Sequence, residues 1–333
     1  MHGPHTKIAR VLRRICSLDR DSQSGRELTR LLQKLGLTIN QCRLPVRIIK
    51  SILNPRDLIK HFFWGKVLLR EAPSHFSHLK LDDGYCQLEL SEYEDTSIIE
   101  LLTDLWRQRC HPTITTHDMI WQMERPAQSQ NYPTLRNCFR LDDFVRHPEI
   151  LDFILNNTFI HIATEAIGSL PKLAYASLSW STSNELLESS QLYHLDLEDS
   201  RQVKIFLNIL PVTPENGPLT FLPSMASRSI CEALGDAAPG NRRQGQRVSD
   251  SMISQEVGSE EKHELIGPAG YTVAVNTGKC LHMGSRCTKG ERLMLSIQFL
   301  PLNVFREPRH GIMLPQFPME RYNKDRYRTG ILS

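Results

Sequence analysis

The clearest period in the chain lies near its end. In the run from Glu291 to Phe299, Leu293, Leu295, Ile297 and Phe299 alternate with Arg292, Met294, Ser296 and Gln298. Strict alternation puts the two sets on opposite faces of a strand. An apolar face backed by a mixed one fits a barrel wall with packing outside and a polar cavity inside. Residues 173–180, 192–197, 203–210, 219–222 and 271–276 are further short apolar runs punctuated by Gly, Pro and Asn, and they read as strands. In 173–180, Tyr175, Ser177 and Ser179 alternate with Ala176, Leu178 and Trp180, and the pattern leaves open which set faces inward. Before residue 170 the period is mostly different. One strand is expected over 81–90. Ser91-Glu92-Tyr93-Glu94 then reads as a capping box opening a helix to about Arg109, with Ile98, Leu101, Leu102 and Leu105 at helical spacing. A second helical stretch is expected over 148–167. Helices followed by many short strands predict a mainly β fold with a helical buttress, a jelly-roll barrel.

Composition narrows the class. Of the 333 residues, 40% are hydrophobic and 23% charged, which is ordinary for a soluble globular protein. No apolar run approaches the roughly eighteen residues that span a bilayer. Met1-His2-Gly3-Pro4-His5 opens no signal-peptide core, and the eight cysteines form no CxxC pair, so reduced thiols and a cytoplasmic location are expected. The net charge of +3 is unevenly spread. Residues 1–70 hold fifteen Lys/Arg against four Asp/Glu, a net of +11; the rest carries −8, with twenty-five basic and thirty-three acidic residues. A basic amphipathic helix can lie on an anionic membrane, bind an acidic partner, or pack on the barrel with a solvated basic rim. Peripheral membrane contact through 1–70 is therefore a candidate, with packing on the barrel favoured. No nucleic-acid recognition motif accompanies the charge.

The chemistry enters with His194-Leu195-Asp196. Strand residues at i and i+2 share a face, so an imidazole and a carboxylate can meet one ion. His282 supplies a third ligand. Two histidines and a carboxylate with open positions opposite form the facial triad of non-heme Fe(II) oxygenases. Arg292 offers a fork suited to a carboxylate. The set points to an iron enzyme with a 2-oxo acid co-substrate. Rivals are weaker: His263 lies in a charged stretch read as exposed, His310 in a Pro-rich tail, and Arg286 in a turn only four residues past His282. A hydrogen-bonded surface His/Asp pair and an ordinary ion-pairing arginine are the plain alternatives.

His194-Leu195-Asp196, the turn Pro214-Glu215-Asn216-Gly217-Pro218-Leu219-Thr220-Phe221-Leu222-Pro223, His282, and Arg292 ten residues beyond together resemble the phytanoyl-CoA dioxygenase family. Leu81-Asp82-Asp83-Gly84-Tyr85-Cys86-Gln87-Leu88 is similar to the family's opening strand, and the resemblance covers about 80–300. One departure stands out: Ser224-Met225-Ala226-Ser227 replaces the family's usual Gly-Ser-His. The resemblance implies a double-stranded β-helix of the cupin type and an Fe(II)/2-oxoglutarate-dependent dioxygenase. Its metal ligands would be His194, Asp196 and His282, with Arg292 on the far carboxylate of 2-oxoglutarate. O2 would be consumed, 2-oxoglutarate decarboxylated to succinate and CO2, and a small-molecule metabolite hydroxylated. Halogenating relatives replace the carboxylate ligand with a small residue, so Asp196 argues against halogenation. The expected organisation is a basic helical extension over 1–75, the oxygenase domain over 76–305 with a polar insertion at 224–264 (a lid or a disordered surface loop), and a tail over 306–333. The rival class is a non-catalytic jelly-roll scaffold that works through its basic N-terminal region.

Overall fold

The computed structural model describes residues 39–88, 97–109, 135–140, 142–185, 189–239, 247–256, 261–304 and 318–332, with Leu32, Leu37 and Leu187 beside them. The capping box at 91–94, most of the basic stretch before residue 39, and His310 lie outside these. In chain order the elements are helices α1 (Ile39–Leu53) and α2 (Pro55–Glu71), strand β1 (Tyr85–Leu88), α3 (Ser97–Arg109), β2 (Leu135–Asn137), α4 (Asp143–Arg146), α5 (Pro148–Ile154) and α6 (Asn157–Ile167). Then follow β3 (Lys172–Thr182), β4 (Val203–Asn208), β5 (Thr220–Phe221), α7 (Ser224–Leu234), α8 (Asp250–Glu256), β6 (His263–Glu264), β7 (Thr272–Val275), β8 (His282–Met283), β9 (Glu291–Leu300) and α9 (Arg326–Leu332).

Two antiparallel sheets make the barrel. The larger runs β1-β7-β4-β9-β3-β2 and the smaller β6-β5-β8. The register resolves the two faces of each strand. Ala176, Leu178 and Trp180 of β3 join Ile205 and Leu207 of β4 and the alternating apolar residues of β9 in one core against the helices. Phe206, Val273, Val275 and Met294 face the other way and meet Phe221, Leu219 and Leu265 between the sheets. The fold is the double-stranded β-helix with its helical buttress on the larger sheet. Tyr175, Ser177, Ser179 and Ser181 therefore line the inside.

The helices are set by local chemistry. The expected single helix over 148–167 is two. Asn156 leaves helical geometry at ψ 157° and accepts from Phe159 N at 2.9 Å, capping α6 and breaking it from α5. Gly168 in the left-handed region ends α6. Helix α2 docks on the α6–β3 link through His61, whose Nδ1 lies 2.9 Å from Leu170 O, and through Gly65 one turn on. A Cβ on Gly65 would sit 2.5 Å from Leu170 N, so only glycine permits this approach. Helix α1 packs Cys42 and Val46 against Leu197, in the loop that follows Asp196. Its Arg47 lies 3.8 Å from the buried Asp199 of the same loop, and Lys50 donates to Val304 O at 2.7 Å. Part of the basic charge of 1–70 is thus matched inside the molecule. The opposite sides of α1 and α2 leave Ile48, Ile52, Ile59, Phe62 and Phe63 exposed. The stretch read as an insertion at 224–264 contains α7, α8 and β6.

Candidate metal centre

The first two candidate ligands do not lie in a regular strand, contrary to the alternation over 192–197. His194 pairs with His282 and Tyr193 with Val248 through single bridges, after which the chain leaves the sheet. The turn that follows closes on itself: Asp199 Oδ1 accepts from Arg201 N at 3.0 Å, and Gln202 donates to Asp196 O at 3.3 Å. Local bonding of this kind competes with a ladder. The side chains converge all the same. His194 Nε2 is 3.9 Å from Asp196 Oδ1, His282 Nε2 is 3.7 Å from Asp196 Oδ2, and the two imidazole centroids are 4.2 Å apart. One ligating atom from each residue can be chosen so that all three lie within 4.8 Å of one another.

Protonation suits ligation. Nδ1 of His194 is 2.9 Å from Leu192 O and Nδ1 of His282 is 3.1 Å from Cys280 O. A carbonyl only accepts, so Nδ1 carries the hydrogen in each ring and Nε2 presents its lone pair to the centre. Burial is the main cause that pushes both imidazoles below their ordinary pKa, so they are neutral at neutral pH. Burial opposes ionisation of Asp196, but the Lys204 ammonium and the two imidazoles outweigh it and hold the carboxyl below its usual range. Two free imidazole nitrogens and a carboxylate on one side of a point are a donor set that fits a divalent transition metal.

Arg292, on β9, is only 2% exposed. It donates to Gly217 O and Ser285 Oγ, both at 2.6 Å, and more weakly to Ser181 Oγ at 3.5 Å. Its Nε has no partner and no carboxylate pairs with it among the described residues. Burial drives its pKa down to about 10. The Asn216-Gly217 turn makes the pocket. Gly217 is left-handed at φ 69°, and a Cβ there would fall 2.5 Å from the backbone of Arg286 and Cys287. A Cβ on Gly284 would meet Arg292 Nη1 at 3.1 Å. Gly284 follows His282 by two residues, so the guanidinium lies against the segment that carries the distal histidine. Arg286 is committed elsewhere, bidentate to Asp250 at 2.6 and 3.0 Å.

Two residues near this site were missed or misplaced from the sequence. Lys204 Nζ sits 2.6 Å from Asp196 Oδ2 and 5.4 Å from the Tyr175 ring centroid. Its signal was its place in β4, where Lys204, Phe206 and Asn208 alternate with Val203, Ile205 and Leu207. His263 is not the exposed charged-loop residue expected. It is half-buried in β6, stacked on Phe221 at 5.3 Å and 16°, and 4.7 Å from Tyr85. Its neighbours Lys262 and Glu264 point to the other side of the pleat, which is why the stretch reads as exposed.

Comparison with solved structures finds distant likenesses. The epimerase SnoN from nogalamycin biosynthesis, described as non-heme and alpha ketoglutarate dependent, is 14% identical over 71% of this chain and 84% of that one, with a TM-score of 0.42. EctD from S. alaskensis with bound Fe is 13% identical over 69% and 76%, at 0.43. HygX from Streptomyces hygroscopicus, with nickel and 2-oxoglutarate bound, is 13% identical over 66% and 82%, at 0.40. No family model and no curated protein matches the chain. The reading of the site rests on its own geometry.

Proposed function

We propose that this protein is an Fe(II)/2-oxoglutarate-dependent oxygenase that hydroxylates a small-molecule metabolite. The observation that carries the reading is Arg292. A guanidinium buried with no counter-ion among the described residues is costly, commonly by several kcal/mol, unless an anion arrives. This one donates to Ser285, three residues past His282 of the His-Asp-His donor set, and a 2-oxo diacid is an anion that meets both needs. His194, Asp196 and His282 would hold the ion by Nε2, a carboxylate oxygen and Nε2. Iron so held supplies oxygen activation coupled to oxidative decarboxylation of the 2-oxo acid.

The chain's own groups do the rest. Leu192 O and Cys280 O fix the two imidazole tautomers. Gly217 O and Ser285 Oγ hold the Arg292 fork flat, ready to take the far carboxylate bidentately. Ser177, Ser179 and Ser181 keep the inner wall of β3 small between the two charged ends, leaving room for a ligand. Met294, Phe206 and Leu219 pack as an apolar cluster between the two sheets. The test is turnover: the intact chain with Fe(II), O2 and 2-oxoglutarate should release succinate slowly, and faster when a metabolite library supplies the substrate. Asp196→Ala should abolish both rates; equal succinate release from that variant would refute the assignment.

We further propose that the outer face of α1 and α2 touches an anionic membrane surface. The exposed Ile52, Ile59, Phe62 and Phe63 beside Lys60 and Lys66 support this reading.

A further inference from the structure

The charge inside the barrel exceeds what the proposed reaction needs. Asp196 is one carboxylate shared between two claims, the metal and the Lys204 ammonium 2.6 Å from its Oδ2. Arg292 adds a second buried cation. A divalent ion and a dianionic 2-oxo acid cancel each other. Asp196 then offsets only one of the two side-chain cations, and one positive charge stays uncompensated. Two further charges act on the centre, Arg247 on both imidazoles and Glu198 on Lys204 and Tyr175. They are of opposite sign, and Glu198 also acts on the Arg43 guanidinium, so it is shared and does not replace Asp196 at Lys204.

The surplus lies at a defined end. Along β9, Arg292 is opposite Ser181, while Gln298 is flanked by Lys204 on β4 and Tyr175 on β3. The two cations thus enter the barrel from rows six residues apart, about 20 Å of strand. The row of Lys204 continues through Val275 to Tyr85. Tyr85 packs on Phe221 at 5.2 Å and on His263 at 4.7 Å, and Phe221 is the register partner of His282. From Lys204 round to the distal histidine the wall is therefore aromatic. Lys204 and Asp196 are each 13% exposed at the side chain, so this end is partly open.

We propose that the substrate is an acid with an apolar, flat body, and that Lys204 is the residue that selects it, pairing with its carboxylate or phosphate once metal occupies Asp196. The inference rests on the oxygenase reading above. Before metal binds, Lys204 and Asp196 neutralise each other. Metal draws on the same carboxylate and leaves a largely buried ammonium short of charge, which an anionic substrate restores and a neutral one does not. A substrate that lacks the anion is thereby rejected.

The test uses the intact chain loaded with Co(II) and saturated with 2-oxoglutarate without oxygen, titrated with benzoate and separately with benzamide while the cobalt visible band is followed. Benzoate should perturb the band at a concentration at least about tenfold lower than benzamide, the worth of one charge-assisted hydrogen bond. Lys204→Met should erase that preference and leave the 2-oxoglutarate midpoint near its original value. Lys204→Arg should retain the preference. In a library of carboxylic acids and their primary amides, the acids should stimulate succinate release. Equal response to acid and amide in the unaltered chain, or no response to either, overturns the proposal whether or not the Met variant folds. A Lys204→Met variant that loses 2-oxoglutarate rather than benzoate assigns the lysine to the co-substrate and overturns it too. A cobalt band that 2-oxoglutarate leaves unchanged overturns the oxygenase reading first, and this proposal with it.

Discussion

Arg292 and Arg286 are both arginines near the distal histidine, and their surroundings separate them. Arg292 is buried among neutral acceptors, with an unpaired Nε and a pKa drawn down to about 10 by burial. Arg286 is closed on Asp250 and on Gln191 O. Arg292→Lys keeps the charge and loses the fork. It should raise the apparent KM for 2-oxoglutarate by about tenfold or more, with the Fe(II) midpoint nearly unchanged, since one arm of a charge-assisted pair is worth about 1.5 kcal/mol or more. Arg286→Ala should leave that KM within about threefold, a difference of under 1 kcal/mol. Steady-state assays at fixed Fe(II) read both; the opposite ranking would transfer the role to Arg286. The triad and Arg292 were legible in the sequence because imidazole, carboxylate and guanidinium advertise their chemistry at any position. Lys204 was not, because a strand lysine is ordinarily solvated, and only the register across β9 and β7 shows this one facing inward.

At the level of elements, the alternation in β3 and β9 was enough to define the barrel wall. It was not enough to say which face of β3 pointed in, since serine suits both a cavity and a surface. The smaller sheet was harder still. Strands β5, β6 and β8 are two residues each, too short to show a period. Helix α2 shows a sharper constraint. Alanine at Gly65 would gain about 1 kcal/mol in helix propensity. Its Cβ, however, would stand 2.5 Å from Leu170 N and 2.8 Å from Ser169 C, both backbone atoms that cannot step aside singly. Gly65→Ala should therefore lower the stability of the fold by about 1–3 kcal/mol, the usual cost of overpacking. A urea midpoint that rises in the variant would show that α2 does not bear on the α6–β3 link as described.

For the molecule as a whole, four largely buried histidines among the described residues make stability sensitive to acid. Burial lowers the pKa of His61, His161, His194 and His282 in the folded chain. The unfolded chain takes up these protons near pH 6.5, where the folded chain does not, so stability is present above that pH and lost as pH falls below it. Each group contributes up to about 1.4 kcal/mol per pH unit in that window. The Tm of the metal-free chain should fall from pH 7.5 to pH 5.5, and a flat or rising Tm would contradict the burial of these rings. The surface tells a second whole-molecule story. The basic charge of 1–70 is partly used on Asp199, and an apolar outer face on α1 and α2 is left over. The sequence posed packing and membrane contact as alternatives because one helix face is indistinguishable from another until its partner is known. Sedimentation with anionic vesicles should occur at low salt and fade at high salt, as screening within about 10 Å at 0.1 M salt requires. No binding at either salt would leave the helices with a packing role alone.

On the proposed reading, a ferrous ion held by His194, Asp196 and His282 and a 2-oxo diacid held by Arg292 bind side by side. The most direct test of that reading is the visible spectrum of the intact chain with Fe(II) under anaerobic conditions, before and after 2-oxoglutarate. A weak metal-to-ligand band should appear only with both components and be lost in Asp196→Ala. A spectrum that stays featureless with both present, in a folded chain, would contradict it.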